Sequence, residues 1–214
     1  LLSSLEGGDW KTCFDVITPH GVIDIQLALA GRHNVQNALA AIAVACAVDI
    51  PVADIVSGLA AMQAVSGRMQ IRKGIGEWSV IDDSYNANPV SLNAAIEMLA
   101  TLSGAKIVVM GDMAELGEDT IALHQHAGRT AKEYGIDQLY AVGPLSAHAV
   151  NAFGEGAKHY TSQLALINDL ITDLHSVCAC QANTILVKGS RSAGMERVVA
   201  ALVADTVKEP LIKS

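Results

Sequence analysis

The densest concentration of reactive side chains is Asp82-Asp83-Ser84-Tyr85-Asn86-Ala87-Asn88-Pro89, directly after an apolar stretch. It places two carboxylates, a hydroxyl, a phenol and two amides at one strand end. Carboxylates accept hydrogen bonds from ribose hydroxyls, and amides can read both ends of a peptide. A helix start accounts for part of it, with Asn88 as N-cap and Pro89 at the first helical position. It does not account for so many polar groups together. Gly31-Arg32-His33-Asn34-Val35-Gln36-Asn37-Ala38-Leu39-Ala40-Ala41 is a second candidate. His33 can stack on a base, and Asn34 and Asn37, three residues apart, can pair with base edges from one helix face. Capping by Asn34 and a polar helix face explain the same residues equally well.

Gly111-Asp112-Met113-Ala114-Glu115-Leu116-Gly117 follows an apolar run, and its glycines suit tight turns. Asp112 and Glu115 could bind a substrate amine or favour the positive end of the next helix. Val187-Lys188-Gly189-Ser190-Arg191-Ser192 resembles a phosphate cradle, but the Lys precedes the Gly. No Gly-Lys-Ser or Gly-Lys-Thr of a P-loop occurs anywhere. Lys188 and Arg191 could instead bind a carboxylate, or be solvated charges in a plain loop. Arg68, at a candidate domain joint, could reach a phosphate when domains close, or decorate the surface. The histidines do not make a metal site: His124 and His126 point to different faces of an expected helix, and the others are scattered.

The elements that must position these groups alternate in type. An antiparallel pair is expected within residues 13–30, around His20-Gly21. A helix capped by Asn34 runs from Val35 to Val48, and a short one follows Pro51. After Ser66-Gly67-Arg68, the likeliest joint, strands are expected at Met69–Lys73, Trp78–Asp82, Lys106–Met110, Gln138–Val142 and Thr184–Lys188. Helices are expected at Pro89–Leu102, Ile121–Tyr134, Ser146–Phe153, Gln163–His175 and Met195–Val207. Helices alternating with short apolar strands imply a parallel, doubly wound α/β sheet. Right-handed crossovers put the strand C-terminal ends on one edge, where such folds bind ligands. The motifs beginning at Asp82, Gly111, Gly143 and Gly189 all fall there.

The composition agrees: 51% hydrophobic residues with only 4% aromatics calls for a core of Ala, Val, Leu and Ile. A net charge of -8 argues against general nucleic-acid binding, which needs a basic surface. The four cysteines, Cys13, Cys46, Cys178 and Cys180, lack zinc or thioredoxin spacing and read as reduced thiols, which suggests a cytoplasmic protein. The most apolar stretch, Ala38–Val48, is about half the ~20 residues of a membrane span, and no signal peptide is evident. Starting on Leu1-Leu2 without Met, the chain reads as part of a longer protein.

Taken in order, the segments at Gly31–Ala41, Ser66–Arg68, Asp82–Pro89, Gly111–Gly117 and Leu186–Arg191 resemble those of the Mur ligase family. The resemblance covers nearly the whole chain and is weak before Val22. It implies the tail end of a central α/β ATP-binding domain over residues 1–65. It implies a C-terminal Rossmann-like domain, a mostly parallel sheet flanked by helices, over residues 66–214. The P-loop half of the central domain and the UDP-sugar domain would be absent, so the chain alone would be inactive. The implied reaction is ATP-dependent amide ligation through an acyl phosphate in peptidoglycan synthesis. The Tyr85-Asn86-Ala87-Asn88-Pro89 form implies D-Ala-D-Ala as acceptor and UDP-N-acetylmuramoyl-tripeptide as the second substrate.

By that resemblance His33, Asn34 and Asn37 would contact adenine, Asp83 the ribose and Arg68 the terminal phosphate. Tyr85, Asn86, Asn88, Asp112, Glu115, Ser190 and Arg191 would face the dipeptide. ATP and Mg2+ would be held mainly by the absent part, and the whole enzyme would be a monomer. Another Mur-type or folylpolyglutamate-type ligase, or a stand-alone nucleotide- or peptide-binding module, is the alternative reading.

Overall fold

The computed structural model describes residues 2–6, 9–29, 31–76, 78–176 and 183–203. The chain divides into two compact units, Leu1–Ile71 and Arg72–Ser214.

In the first unit, strands β1 (Leu2–Glu6), β2 (Asp9–Thr18) and β3 (Gly21–Leu27) form an antiparallel sheet in that order. The expected pair is present: β2 and β3 are in register from Thr12↔Leu27 to Thr18↔Gly21. Thr18 Oγ1 closes the turn, donating to Gly21 O (2.8 Å) and accepting from His20 N–H (3.1 Å). In β3 alternate residues are buried, so Ile23, Ile25 and Leu27 face the core while Asp24 and Gln26 face water. Helices α1 (Arg32–Ala47) and α2 (Val52–Ala60) complete that core through Ala38, Ile42, Ile55 and Leu59.

One expected boundary moves. Helix α1 starts at Arg32, with Gly31 in the cap position at φ 93 and no side-chain cap. Asn34 is the third helical residue, its N–H bonded to Gly31 O (3.0 Å). Glycine adopts this left-handed entry at little cost, so the first turn closes earlier than an Asn cap would allow.

The second unit is built on a six-stranded sheet ordered β4-β5-β9-β6-β7-β8. Its strands are β4 (Gln70–Lys73), β5 (Trp78–Asp83), β6 (Ala105–Gly111), β7 (Gln138–Val142), β8 (Ala157–Tyr160) and β9 (Asn183–Lys188). Strands β5, β9, β6, β7 and β8 run parallel, as the alternating pattern requires. Helices α3 (Pro89–Ala100), α4 (Thr120–Glu133), α5 (Ala147–Phe153), α6 (Gln163–Ser176) and α7 (Glu196–Leu202) cover it. Val80, Ile107, Val109, Tyr140, Ile185 and Val187 pack against Leu166, Leu170, Val198 and Leu202 of α6 and α7. Their neighbours Ile81, Val108, Met110, Leu139 and Leu186 are equally buried and point the other way, toward the face of α3, α4 and α5. Burial on both faces explains why the strands read as continuous apolar runs.

Helix α7 ends before the expected Val207. Val203 leaves the helix with extended backbone and bridges Gly74, and residues 204–207 lie outside the described set. Cys178 and Cys180 do as well; Cys13 and Cys46 are free thiols. No helix among the described residues is long and apolar enough to cross a membrane.

Candidate functional site

Because the five strands are parallel, their C-terminal ends Asp83, Gly111, Val142, Tyr160 and Lys188 share one edge. Three groups of candidate residues meet along it.

The first is built by the β5–β9 register, which sets Asp83 beside Lys188. The Lys188 ammonium pairs with the Asp83 carboxylate and also donates to Asn86 O (2.9 Å). The Lys188 side chain is only 3% exposed and that of Asp83 13%. A charge so enclosed is tolerated only when paired and hydrogen-bonded. Lys188 therefore ties the strand end to the turn that follows it. Inside that turn Asp82 accepts from Ser84 N–H (3.2 Å) and Ser84 Oγ (2.6 Å), and Asn86 Oδ1 accepts from Ala87 N–H (2.8 Å). Asn88 caps α3 as expected, in a reciprocal capping box with Ser91 and with Pro89 at the helix start. Tyr85, Asn86 and Asn88 are all exposed.

The second group surrounds Asp112. Its carboxylate accepts from Ser146 N–H (2.7 Å), Ser146 Oγ (2.8 Å) and Leu145 N–H (3.3 Å). Its backbone carbonyl accepts from Ser190 N–H (3.0 Å). Asp112 thus links the loops after β6, β7 and β9. The fit is close: a Cβ on Gly143 would lie 2.5 Å from the Asp112 carboxylate, and Gly143 has φ 115. Ser190 is buried, with its Oγ 3.1 Å from Ser192 Oγ. Glu115 is exposed and left-handed, at φ 60.

The third group is Tyr85 with Arg191, whose guanidinium lies 5.8 Å from the ring centroid, within cation–π reach. Arg191 also approaches Glu196 (3.7 Å), and both are largely exposed.

In the first unit Asn34 and Asn37 lie on the opening turns of α1, half-buried and exposed respectively. His33 is on the same turn, with its side chain outside the described set. Arg68 is exposed and sits between two left-handed residues, Gly67 (φ 75) and Met69 (φ 54). Among the described residues no group of His, Cys, Asp or Glu is placed to hold a metal ion. The described side chains of this edge offer acceptors to hydroxyls and ammonium groups, and the guanidinium groups of Arg68 and Arg191 are both exposed.

Residues 67–191 match the family model described as the Mur ligase, glutamate ligase domain. The chain belongs to the Mur ligase family. Residues 3–45 match the Mur ligase middle domain. The chain is 44% identical over 191 residues to the UDP-N-acetylmuramoyl-tripeptide–D-alanyl-D-alanine ligase of Escherichia coli, covering 89% of this chain and 41% of that protein. It is 38% identical over 198 residues to the enzyme of the same name from Buchnera aphidicola, covering 92% and 43%. A crystal structure of MurF from Acinetobacter baumannii superposes with a TM-score of 0.82 at 35% identity, covering 92% of this chain and 43% of that one. The chain therefore spans about two fifths of the length of these Mur ligases.

Two contributors to this Mur ligase edge are hard to find by sequence. Ser146 reads as an ordinary helix start, yet its hydroxyl serves Asp112 and makes no cap bond to α5. His124 reads as one of two helix histidines on different faces that make no metal site, yet it is fully buried against the Asp112–Gly117 segment. Each meets its partner only through the fold.

Proposed function

We propose that this chain is the C-terminal part of an ATP-dependent ligase that joins D-Ala-D-Ala to UDP-N-acetylmuramoyl-tripeptide in cytoplasmic peptidoglycan synthesis. Residues 1–65 belong to the central domain and residues 66–214 form the acceptor-binding domain. The observation that carries this reading is the 44% identity, over 89% of the chain, to a protein of that name.

A carboxylate is a poor electrophile. ATP transfers its terminal phosphate to the carboxylate of the tripeptide and leaves as ADP; the free amine of D-Ala-D-Ala attacks the acyl carbon, loses a proton to solvent and expels phosphate. Mg2+, held by the part of the enzyme outside this chain, would supply neutralisation of the phosphate charge. The chain's own residues bind and orient. His33, Asn34 and Asn37 contact adenine, and Arg68 meets the transferred phosphate. Asp83 accepts from the ribose, its carboxylate aimed by the Lys188 ammonium. Glu115 accepts from an N–H of the incoming amine, and Tyr85, Asn86, Asn88 and Arg191 receive the rest of the dipeptide. Asp112 and Ser190 contribute by bracing the loops that present those groups. Holding the amine against the acyl phosphate removes much of the entropic barrier.

In the whole ligase, ATP hydrolysis in the presence of the UDP-linked tripeptide should depend on D-Ala-D-Ala. Glutamate, diaminopimelate or lysine should not replace it. Equal stimulation by a single amino acid would assign the chain to a different amide ligase.

A further inference from the structure

His124 lies on α4 and is 0% exposed. Its Nε2 is 3.0 Å from the backbone nitrogen of Met113, and its Nδ1 is 2.7 Å from the carbonyl oxygen of Thr120. These partners decide the proton's place. A peptide N–H can only donate, so Nε2 accepts. A carbonyl can only accept, so Nδ1 carries the hydrogen. A proton on Nε2 would oppose two donors inside the core, leaving both unsatisfied.

The segment is held mainly at its ends, beginning with the Asp112 carboxylate bound by Ser146 and Leu145. Met113 is fully buried and acts as its plug. Ala114 and Glu115 are exposed, and Glu115 (φ 60) and Gly117 (φ 68) are both left-handed. A left-handed glutamate persists only where its surroundings impose it. The anchors are at the ends: Asp112 O takes Ser190 N–H, Met113 N–H is bound by His124, and Gly117 O takes Thr120 Oγ1 (2.6 Å). His124 joins two of these, because its other nitrogen binds the carbonyl of that same Thr120.

We propose that His124 is a positioning residue: a neutral imidazole, protonated on Nδ1, that locks the Asp112–Gly117 segment and so aims Glu115 at the acceptor. The aim at the acceptor rests on the function proposed above; the lock does not. Loss of the lock frees a buried peptide N–H and lets the Glu115 backbone relax toward ordinary conformations.

The test begins with nitrogen-15 NMR of the histidine-labelled 214-residue chain. His124 should show a pyrrole-like Nδ1 and a pyridine-like Nε2 that correlates with the Met113 amide proton. A proton on Nε2, or a ring averaging between tautomers, would overturn the lock. His124→Leu should speed hydrogen exchange of the Met113 amide and weaken D-Ala-D-Ala binding, each by about tenfold. His124→Gln, whose amide oxygen can reach the Nε2 position, should recover most of both. Unchanged exchange and affinity in a folded His124→Leu would overturn the proposal. If His124→Leu fails to fold, the wild-type spectrum and His124→Gln decide. If the wild type binds no dipeptide, the acceptor reading fails, while the tautomer and exchange data still judge the lock.

Discussion

At the scale of single residues, Asp83 and Lys188 show what each kind of inference can reach. Asp83 stood out in the sequence as part of a dense run of polar groups directly after an apolar strand. The task of Lys188 did not stand out, because its partner is 105 residues away and meets it only through the β5–β9 register. Segment-wise, Lys188 reads equally well as an anion binder or a solvated charge; the fold encloses it against one carboxylate and one carbonyl. Asp83→Ala in the whole ligase should weaken ATP binding, measured by titration with a non-hydrolysable analogue, by about tenfold or more. Lys188→Met should behave differently. It leaves the Asp83 carboxylate nearly enclosed without its cation, so it should cost about 3 kcal/mol in denaturant unfolding as well as nucleotide affinity. Full stability in Lys188→Met would mean that the Lys188–Asp83 pair is not what holds this strand end.

Among the elements, most strands and helices were legible from their periodicity, whereas strand β1 and the short edge strand β8 were not. The sequence of β8, Ala157-Lys158-His159-Tyr160, alternates weakly and carries a charge, as edge strands do. Tertiary partners hold it. Lys158 lies between Asp169 (3.0 Å) and Asp173 (2.6 Å) of α6, Tyr160 donates to Asp169, and Tyr140 donates to Asp173. The Tyr160 hydroxyl, and after it Lys158, holds the Asp169 carboxyl below its usual range. Asp173, and after it Asp169, holds the Lys158 ammonium above its own, against the opposing effect of burial. A lowered carboxyl stabilises the fold above its unfolded value of about 3.9, and this is lost as pH falls through the folded value. A raised lysine stabilises it below about 10.4, and this is lost as pH rises through the folded value. The clasp is therefore complete at intermediate pH and fades at both extremes. Thermal melts should show Lys158→Met below wild type near neutrality, by a small margin because the pair is partly exposed, with the gap closing in acid. A gap that persists at pH 2 would place its origin in packing. A second element-scale contact is between α4 and α5, where a Cβ on Gly128 would fall 2.0 Å from Ala149 O. Gly128→Ala should push these helices apart and cost about 1–3 kcal/mol, although alanine is the better helix former.

For the whole molecule, the parallel architecture and the shared edge of strand C-terminal ends followed from the alternation of apolar strands with helices, since a doubly wound sheet admits few topologies. Less legible was how the edge is finished. The links from Asp112 to Ser146, from Ser190 to the Asp112 carbonyl and from His124 to Met113 each join separate loops or elements. The first unit carries an apolar face: Ile17, Val44 and Val48 are largely exposed, and an apolar groove of about 460 Å³ opens between Val16, Ile17, Pro19, Leu39, Ile42 and Ala43. Composition implies such a surface only when the sheet that should cover it is known. The central claim, that the strand edge of residues 66–214 receives D-Ala-D-Ala, is tested most directly by calorimetric titration of this chain with the dipeptide and its mirror image. Saturable heat with D-Ala-D-Ala, none with L-Ala-L-Ala, and loss of the signal in Arg191→Ala is the predicted result. Equal heats from both enantiomers, or tighter binding of a single amino acid such as glutamate, would contradict it.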